Sequence, residues 1–147
     1  MYKRVVEIPE LEFLGVRGGG NLKAGNYVFY FKYADADENE TDFVAESGLV
    51  SLFIGTDLDS VRQGIRDENT YKSARFFLSN IDSGYSYVSV YYTRVSGDVD
   101  GNPSKTAHRV NKKFEINKSL CCTINISGFE DITDIPISDI NIQYNIA

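Results

Sequence analysis

Seven consecutive residues, Tyr27-Val28-Phe29-Tyr30-Phe31-Lys32-Tyr33, constrain the fold more than any other stretch of the chain. Tyr27, Phe29, Phe31 and Tyr33 occupy alternate positions, so an extended backbone places all four rings on one face and Val28, Tyr30 and Lys32 on the other. A wholly aromatic face needs a second apolar layer against it. The Asp- and Asn-rich stretch Asp35-Ala36-Asp37-Glu38-Asn39-Glu40 supplies a turn, and Phe43-Val44-Ala45 returns as a partner strand, which makes a hairpin.

A second strong strand follows the same rule. In Tyr85 to Arg94, Val88, Val90 and Tyr92 alternate with Tyr87, Ser89, Tyr91 and Thr93. Shorter strands are read at Leu49–Ile54 after Gly48, at Ala74–Leu78, at His108–Val110, at Lys113–Ile116 and at Leu120–Ile126. The Ile-rich tail from Ile132 to Ile142 alternates only in part. Turn signals recur every 8 to 12 residues: Asn80-Ile81-Asp82-Ser83-Gly84, Ser96 to Ser104, and Asn117-Lys118. This spacing predicts an all-β fold, an antiparallel two-sheet sandwich of the immunoglobulin or fibronectin type III-like kind, and not a βαβ fold. Thr56–Tyr71 reads either as one helical turn around Asp57–Ile65 or as a long polar loop.

With 147 residues the chain is one domain in size and buries most of its apolar surface without staples. Aromatic residues make up 13%, as 10 Tyr and 9 Phe with no Trp, which again favours pleated surfaces. Residues 1–20 read as a lead-in strand, broken by Pro9, and a Gly18-Gly19-Gly20 loop; residues 21–147 read as the sandwich domain. The glycine loop lacks the Gly-Lys-Ser/Thr ending and the following helix that a phosphate site needs.

The formal charge of −6 repels a phosphate backbone, so nucleic acid is not an expected partner. No apolar run approaches the ~18 residues of a membrane span, and the polar start Met1 to Glu7 is not a signal peptide. Neither a membrane nor a cofactor is expected. Cys121 and Cys122 are adjacent, so on a strand they point to opposite faces and form no disulfide framework. One is expected inside and one outside.

Catalytic signals are weak. The single histidine, His108, has no nucleophile signature beside it and reads as a solvated strand or loop residue. Asp35, Asp37, Asn39, Thr41 and Glu46 match positions 1, 3, 5, 7 and 12 of a calcium loop, and Asp98-x-Asp100-x-Asn102 echoes it. Glu40, however, stands where that loop needs glycine, and strands flank it, so the hairpin turn is the preferred reading. The tyrosines also offer a sugar-stacking platform.

Ile81, a turn containing Gly84, and then Tyr87 resemble the tyrosine corner of immunoglobulin-like sandwiches, in which a hydroxyl ties a crossover loop to the sheet. Leu22-x-Ala24-Gly25-x-Tyr27 is a looser version. Ile81, Tyr87, Leu22, Tyr27, Phe29 and Phe31 are therefore structural candidates.

Several segments carry a family resemblance. Gly18 to Asp37, Asp42 to Val50, Val88 to Arg94, Gly128 to Asp131 and Ile140 to Tyr144 resemble the large tail stabilisation (muzzle or tail-hub) proteins of crAss-like bacteriophages. The pattern Leu22-x-Ala24-Gly25-x-Tyr27 before a Tyr-rich strand is similar to tail-hub proteins of other short-tailed phages. The resemblance implies a non-enzymatic structural part of the virion tail, assembled in the bacterial host cytoplasm and touching other tail proteins or copies of itself in a ring. Those proteins are much longer, which implies a fragment or a stand-alone homologue, and a lead-in strand whose natural neighbour is missing. The alternative expectation is a carbohydrate-binding or adhesive sandwich module, with a hydrolase third.

Overall fold

A computed structural model describes residues 6–52, 69–95 and 106–144, with side chains through Ile140. The elements are β1 (Glu10–Gly18), β2 (Gly25–Ala34), β3 (Glu40–Leu52), β4 (Lys72–Ser79), β5 (Tyr87–Val95), β6 (Thr106–Val110), β7 (Phe114–Glu115), β8 (Cys122–Ile126), β9 (Ile132–Pro136) and a helix α1 (Ile137–Tyr144). They form two antiparallel sheets, β1-β4-β8 and β3-β2-β5-β6-β9, with β7 pairing β5. The chain is a β-sandwich.

The aromatic strand sits at the centre of this arrangement. β2 is flanked by β3 and β5, and its alternating Tyr27, Phe29, Phe31 and Tyr33 are between 0% and 1% exposed. The facing layer is supplied by Phe76 and Leu78 of β4 and by Ile124 and Ile126 of β8. Phe76 is the hub: its ring lies 4.9 Å from Phe29, 5.4 Å from Phe31 and 5.3 Å from Phe13, all tilted or edge-on. Such offset geometries suit the ring quadrupoles and add to the area term.

Three features differ from the sequence reading. First, Leu49–Leu52 is not a separate strand. β3 continues through Gly48, whose φ of +74° lets the strand carry an irregularity without breaking. Second, the Ile-rich tail is strand only as far as Pro136, after which it turns into α1. Ile137 and Ile140 fit a helical repeat as well as a partial alternation, Pro136 fits just before a helix start, and Asp139 in the first turn complements the helix dipole. Third, β1 finds a neighbour within the chain, pairing with β4 from Glu10↔Ser79 to Gly18↔Lys72. The Asp57–Ile65 and Ser96–Ser104 readings fall outside the described residues.

One end of the sandwich closes by backbone contact. Asn21 N–H donates to Ser127 O at 2.6 Å, and a Cβ on Gly128 would meet the Asn21 carbonyl carbon at 2.6 Å. The φ of Gly128 is +91°, so glycine is required there twice over.

If the ring at position 76 joins the two layers, Phe76→Ala costs about 3–5 kcal/mol in urea unfolding. Phe77→Ala, one residue on and facing outward, costs less than half as much.

Candidate interaction surface

Among the described residues, β1 ends the three-stranded sheet, paired with β4 on one side and with no strand on the other. Its side chains divide by their β4 partners. Leu11, Phe13 and Val16 lie opposite Leu78, Phe76 and Ala74 and so face the interior. Glu10, Glu12, Gly15 and Arg17 point the other way, and Leu14 occupies the bulge between Phe13 and Gly15. Phe13 is nevertheless 43% exposed and Val16 38%, with Leu14 at 37% and Ile8, just upstream, at 66%. Among the described residues no further strand covers these core-side side chains. β3, the edge of the other sheet, packs beside β1, while its exposed Leu49, opposite Val28, faces the outer side of the larger sheet. Scattered exposed apolar residues are ordinary; a run of them along one edge strand marks a contact surface.

The lead-in is held rigidly. The Tyr33 hydroxyl donates to Glu7 O at 2.8 Å and accepts from Asp82 N–H at 3.4 Å, while Asp82 Oδ2 accepts from Glu7 N–H at 3.0 Å. Burial pushes the Tyr33 phenol up to about 12. The hydroxyl that ties the Ile81–Asp82 turn to the sheet is thus that of Tyr33. Tyr87 is half-buried at the start of β5 beneath the Lys113 ammonium, while Ile81 is fully buried beside the tie. In the looser pattern, the Tyr27 hydroxyl donates to Lys23 O at 2.6 Å and Leu22 is buried, so that tie lies at the Leu22–Tyr27 corner.

A second site lies on the outer face of the larger sheet, the side of β2 that carries Val28, Tyr30 and Lys32. Lys32 is only 6% exposed. Its ammonium stands 4.6 Å from the Phe43 ring centroid and 4.8 Å from that of Tyr91, with Glu40 Oε1 at 3.9 Å. Glu40 accepts from the Tyr91 hydroxyl at 2.5 Å and from Arg109 Nη2 at 2.9 Å. α1 covers the cluster through Ile140, leaving a cavity of about 110 Å³ walled by Lys32, Tyr91, Arg109, Ile135 and Asp139. Burial holds the Lys32 amine below its ordinary 10.5. Burial alone would raise the Glu40 carboxyl, but the hydrogen bonds from Tyr91 and Arg109 outweigh it and hold the group below its ordinary 4.5. The signal that sequence reasoning missed is that Tyr30, Phe43 and Tyr91 give this outer face an aromatic surface of its own around Lys32.

The calcium spacing does not converge. Asp35 Oδ1 accepts from the Asp37 and Asn39 N–H groups at 2.9 Å each, and Oδ2 from the Asn39 amide at 3.2 Å, which is a side-chain-capped turn. These bonds, the Asn39 N–H first, hold its carboxyl below the ordinary range. Thr41 Oγ1 accepts from Tyr33 N–H. Glu46 pairs with Tyr30 while Glu40 pairs with Ala34, so at about 3.3 Å per residue Glu46 lies roughly 13 Å further along the strand.

His108 lies on β6 and is mostly covered: its ring sits 5.0 Å from that of Tyr92 and its Nδ1 is 2.7 Å from Asp134 Oδ1. It lines a loop-end cavity of about 220 Å³ with Arg94, Tyr92 and Gly128. Cys122 is buried and Cys121 half-exposed, both as free thiols.

No protein-family model and no curated protein matches the chain.

The outer cluster makes two predictions. Glu40→Leu strands Lys32 and Arg109 and lowers unfolding free energy by on the order of 2 kcal/mol or more, whereas Lys32→Met, which keeps the Arg109–Glu40 pair, changes it by less than half of that. On pH, a carboxyl held low in the fold stabilises fully above its unfolded value near 4.5 and loses that contribution as pH falls through the folded value. Glu40→Gln should therefore flatten the decline in melting temperature between about pH 5 and pH 3 relative to the parent.

Proposed function

We propose that this chain is a non-enzymatic structural domain of a bacteriophage tail that acts through protein–protein contacts in the virion, after assembly in the host cytoplasm. Two things support the reading. One is the resemblance carried by Gly18 to Asp37, Asp42 to Val50 and Val88 to Arg94 to crAss-like phage tail stabilisation proteins. The other, which carries most weight, is the open β1 edge with its uncovered core-side residues.

The pairing pattern gives that edge a meaning. β1 with β4, β2 with β3 and β5, and β5 with β6 are neighbours as B–E, C–C′, C–F and F–G are in an immunoglobulin or fibronectin type III-like sandwich, although β8, on the far side of β4 where strand D would lie, comes later in the chain than β5 and β6. In that topology strand B also borders strand A, and among the described residues no strand lies on the corresponding edge of β1. A strand slot of this kind is filled in an assembly by a strand from elsewhere, through main-chain bonds and alternate side chains.

The test is composition. Purified particles from a host culture carrying the gene should contain this chain in fixed ratio to other tail proteins, with immunogold label on the tail. A chain found only in the lysate, and never in particles, would remove the reading.

Sugar binding is the second reading, favoured by Tyr71 and Phe129, each 68% exposed, near the loop-end cavity. Glycan-array binding that is lost on Phe129→Ala would support it.

A further inference from the structure

We infer that the strand filling the open edge of β1 is β1 of a second copy of this chain, paired antiparallel about a twofold axis between Phe13 and Leu14. The inference rests on the structural reading above and names its partner.

The case starts from the bulge. In a regular strand, positions 10 and 17 differ by an odd number and fall on opposite faces. The register break between Phe13 and Gly15 changes this: Glu10, Glu12, Gly15 and Arg17 pair with Ser79, Phe77, Arg75 and Ser73, all odd positions of β4, so they share the outer face. Leu11, Phe13 and Val16 pair with the even positions Leu78, Phe76 and Ala74 and share the inner face. A strand with this bulge can pair with its own copy, residue i opposite residue 27 − i, so that 10 meets 17, 11 meets 16 and 12 meets 15 on a shared face while the bulged Leu14 meets Phe13 at the axis.

The pairs that result are chemically matched. Glu10 falls opposite the second copy's Arg17, and Glu12 lies diagonal to the same arginine; each contact occurs twice by symmetry. On the inner face Leu11 meets Val16, and at the axis Phe13 meets Leu14. Phe13, Leu14 and Val16 are the apolar residues of β1 that the sandwich leaves exposed. Glu12 meets Gly15, which has no side chain to oppose a second carboxylate. A shift by one residue in either direction separates Glu10 from Arg17 and leaves Leu11 or Val16 opposite a charge. Bulges and charges on an edge strand usually discourage indiscriminate pairing. Here they also select one register and one partner.

The result would be one continuous sheet, β8-β4-β1 joined to its symmetry mate. Because the interface is isologous, it closes at two copies and does not grow into a fibre.

The test is a charge-swap cycle on the whole chain, followed by sedimentation velocity and light scattering over a concentration series. Glu10 and Arg17 are exposed, so neither change should disturb folding, and a dichroism spectrum checks this. The parent should show a concentration-dependent dimer. Glu10→Arg and Arg17→Glu should each weaken it by roughly three- to tenfold, since each disrupts both symmetry-related pairs. The double variant should recover most of the loss, because every reversed charge again meets its opposite. Val16→Lys should abolish the dimer. A parent that remains monomeric to about 1 mM, or a double variant weaker than both singles, overturns the second-copy assignment. Either result leaves the tail reading untouched if the chain is still found in particles, so the two failures are separable.

Discussion

The fold depends on desolvation of the rings of β2 against Phe76. Every other element takes its position from that contact. β3 and β5 flank β2 because its backbone needs partners on both sides, and β4 lies across it because Phe76 must reach Phe29 and Phe31 together. Aromatic rings in offset contact bury more area per residue than aliphatic side chains and lose few rotamers in doing so. A domain with one methionine and no tryptophan can therefore hold two sheets together without a disulfide.

How much of this could be read from the sequence depended on which signal a segment carried. The alternation Tyr27, Phe29, Phe31, Tyr33 has a period that only a strand satisfies on one face, and the hairpin after it is marked by Asp35 and Asn39, whose side chains cap the turn they were expected to make. The tail was opaque because Ile132, Ile135, Ile137 and Ile140 satisfy neither period cleanly, and the choice of helix after Pro136 is made by packing Ile140 onto Tyr91. The tyrosine tie was legible as a device but not as an address. A Tyr at the end of β2, Tyr33, reaches the Ile81–Asp82 turn across the sandwich, and no local pattern links positions 49 residues apart.

The outer face illustrates a different limit. Lysine in the polar register of a half-buried strand is ordinarily read as solvated. Lys32 is instead enclosed because its flanking positions bring Phe43 and Tyr91 to either side and Glu40 within ionic reach. The ammonium exchanges water for two ring faces and a carboxylate, and Arg109 satisfies the rest of that carboxylate. The larger sheet is thus covered on both faces near its centre, which explains why its strands show less clean alternation than the smaller sheet. The interaction surface was hidden for a simpler reason. Whether a strand is an edge is a property of topology, and β1 is composed much like an interior strand until its bulge and its charges are placed against β4.

The glycine at position 128 has a consequence for how such a domain can change. With no side chain, it lets the exit of β8 rest directly on the backbone at Asn21, so the spacing of those two segments is set by an atom that is not there. Any replacement, even by alanine, acts as a wedge between the β8 exit and the backbone at Asn21 and Leu22, which must part to admit it. The seam consequently holds position 128 to the one residue that has no Cβ.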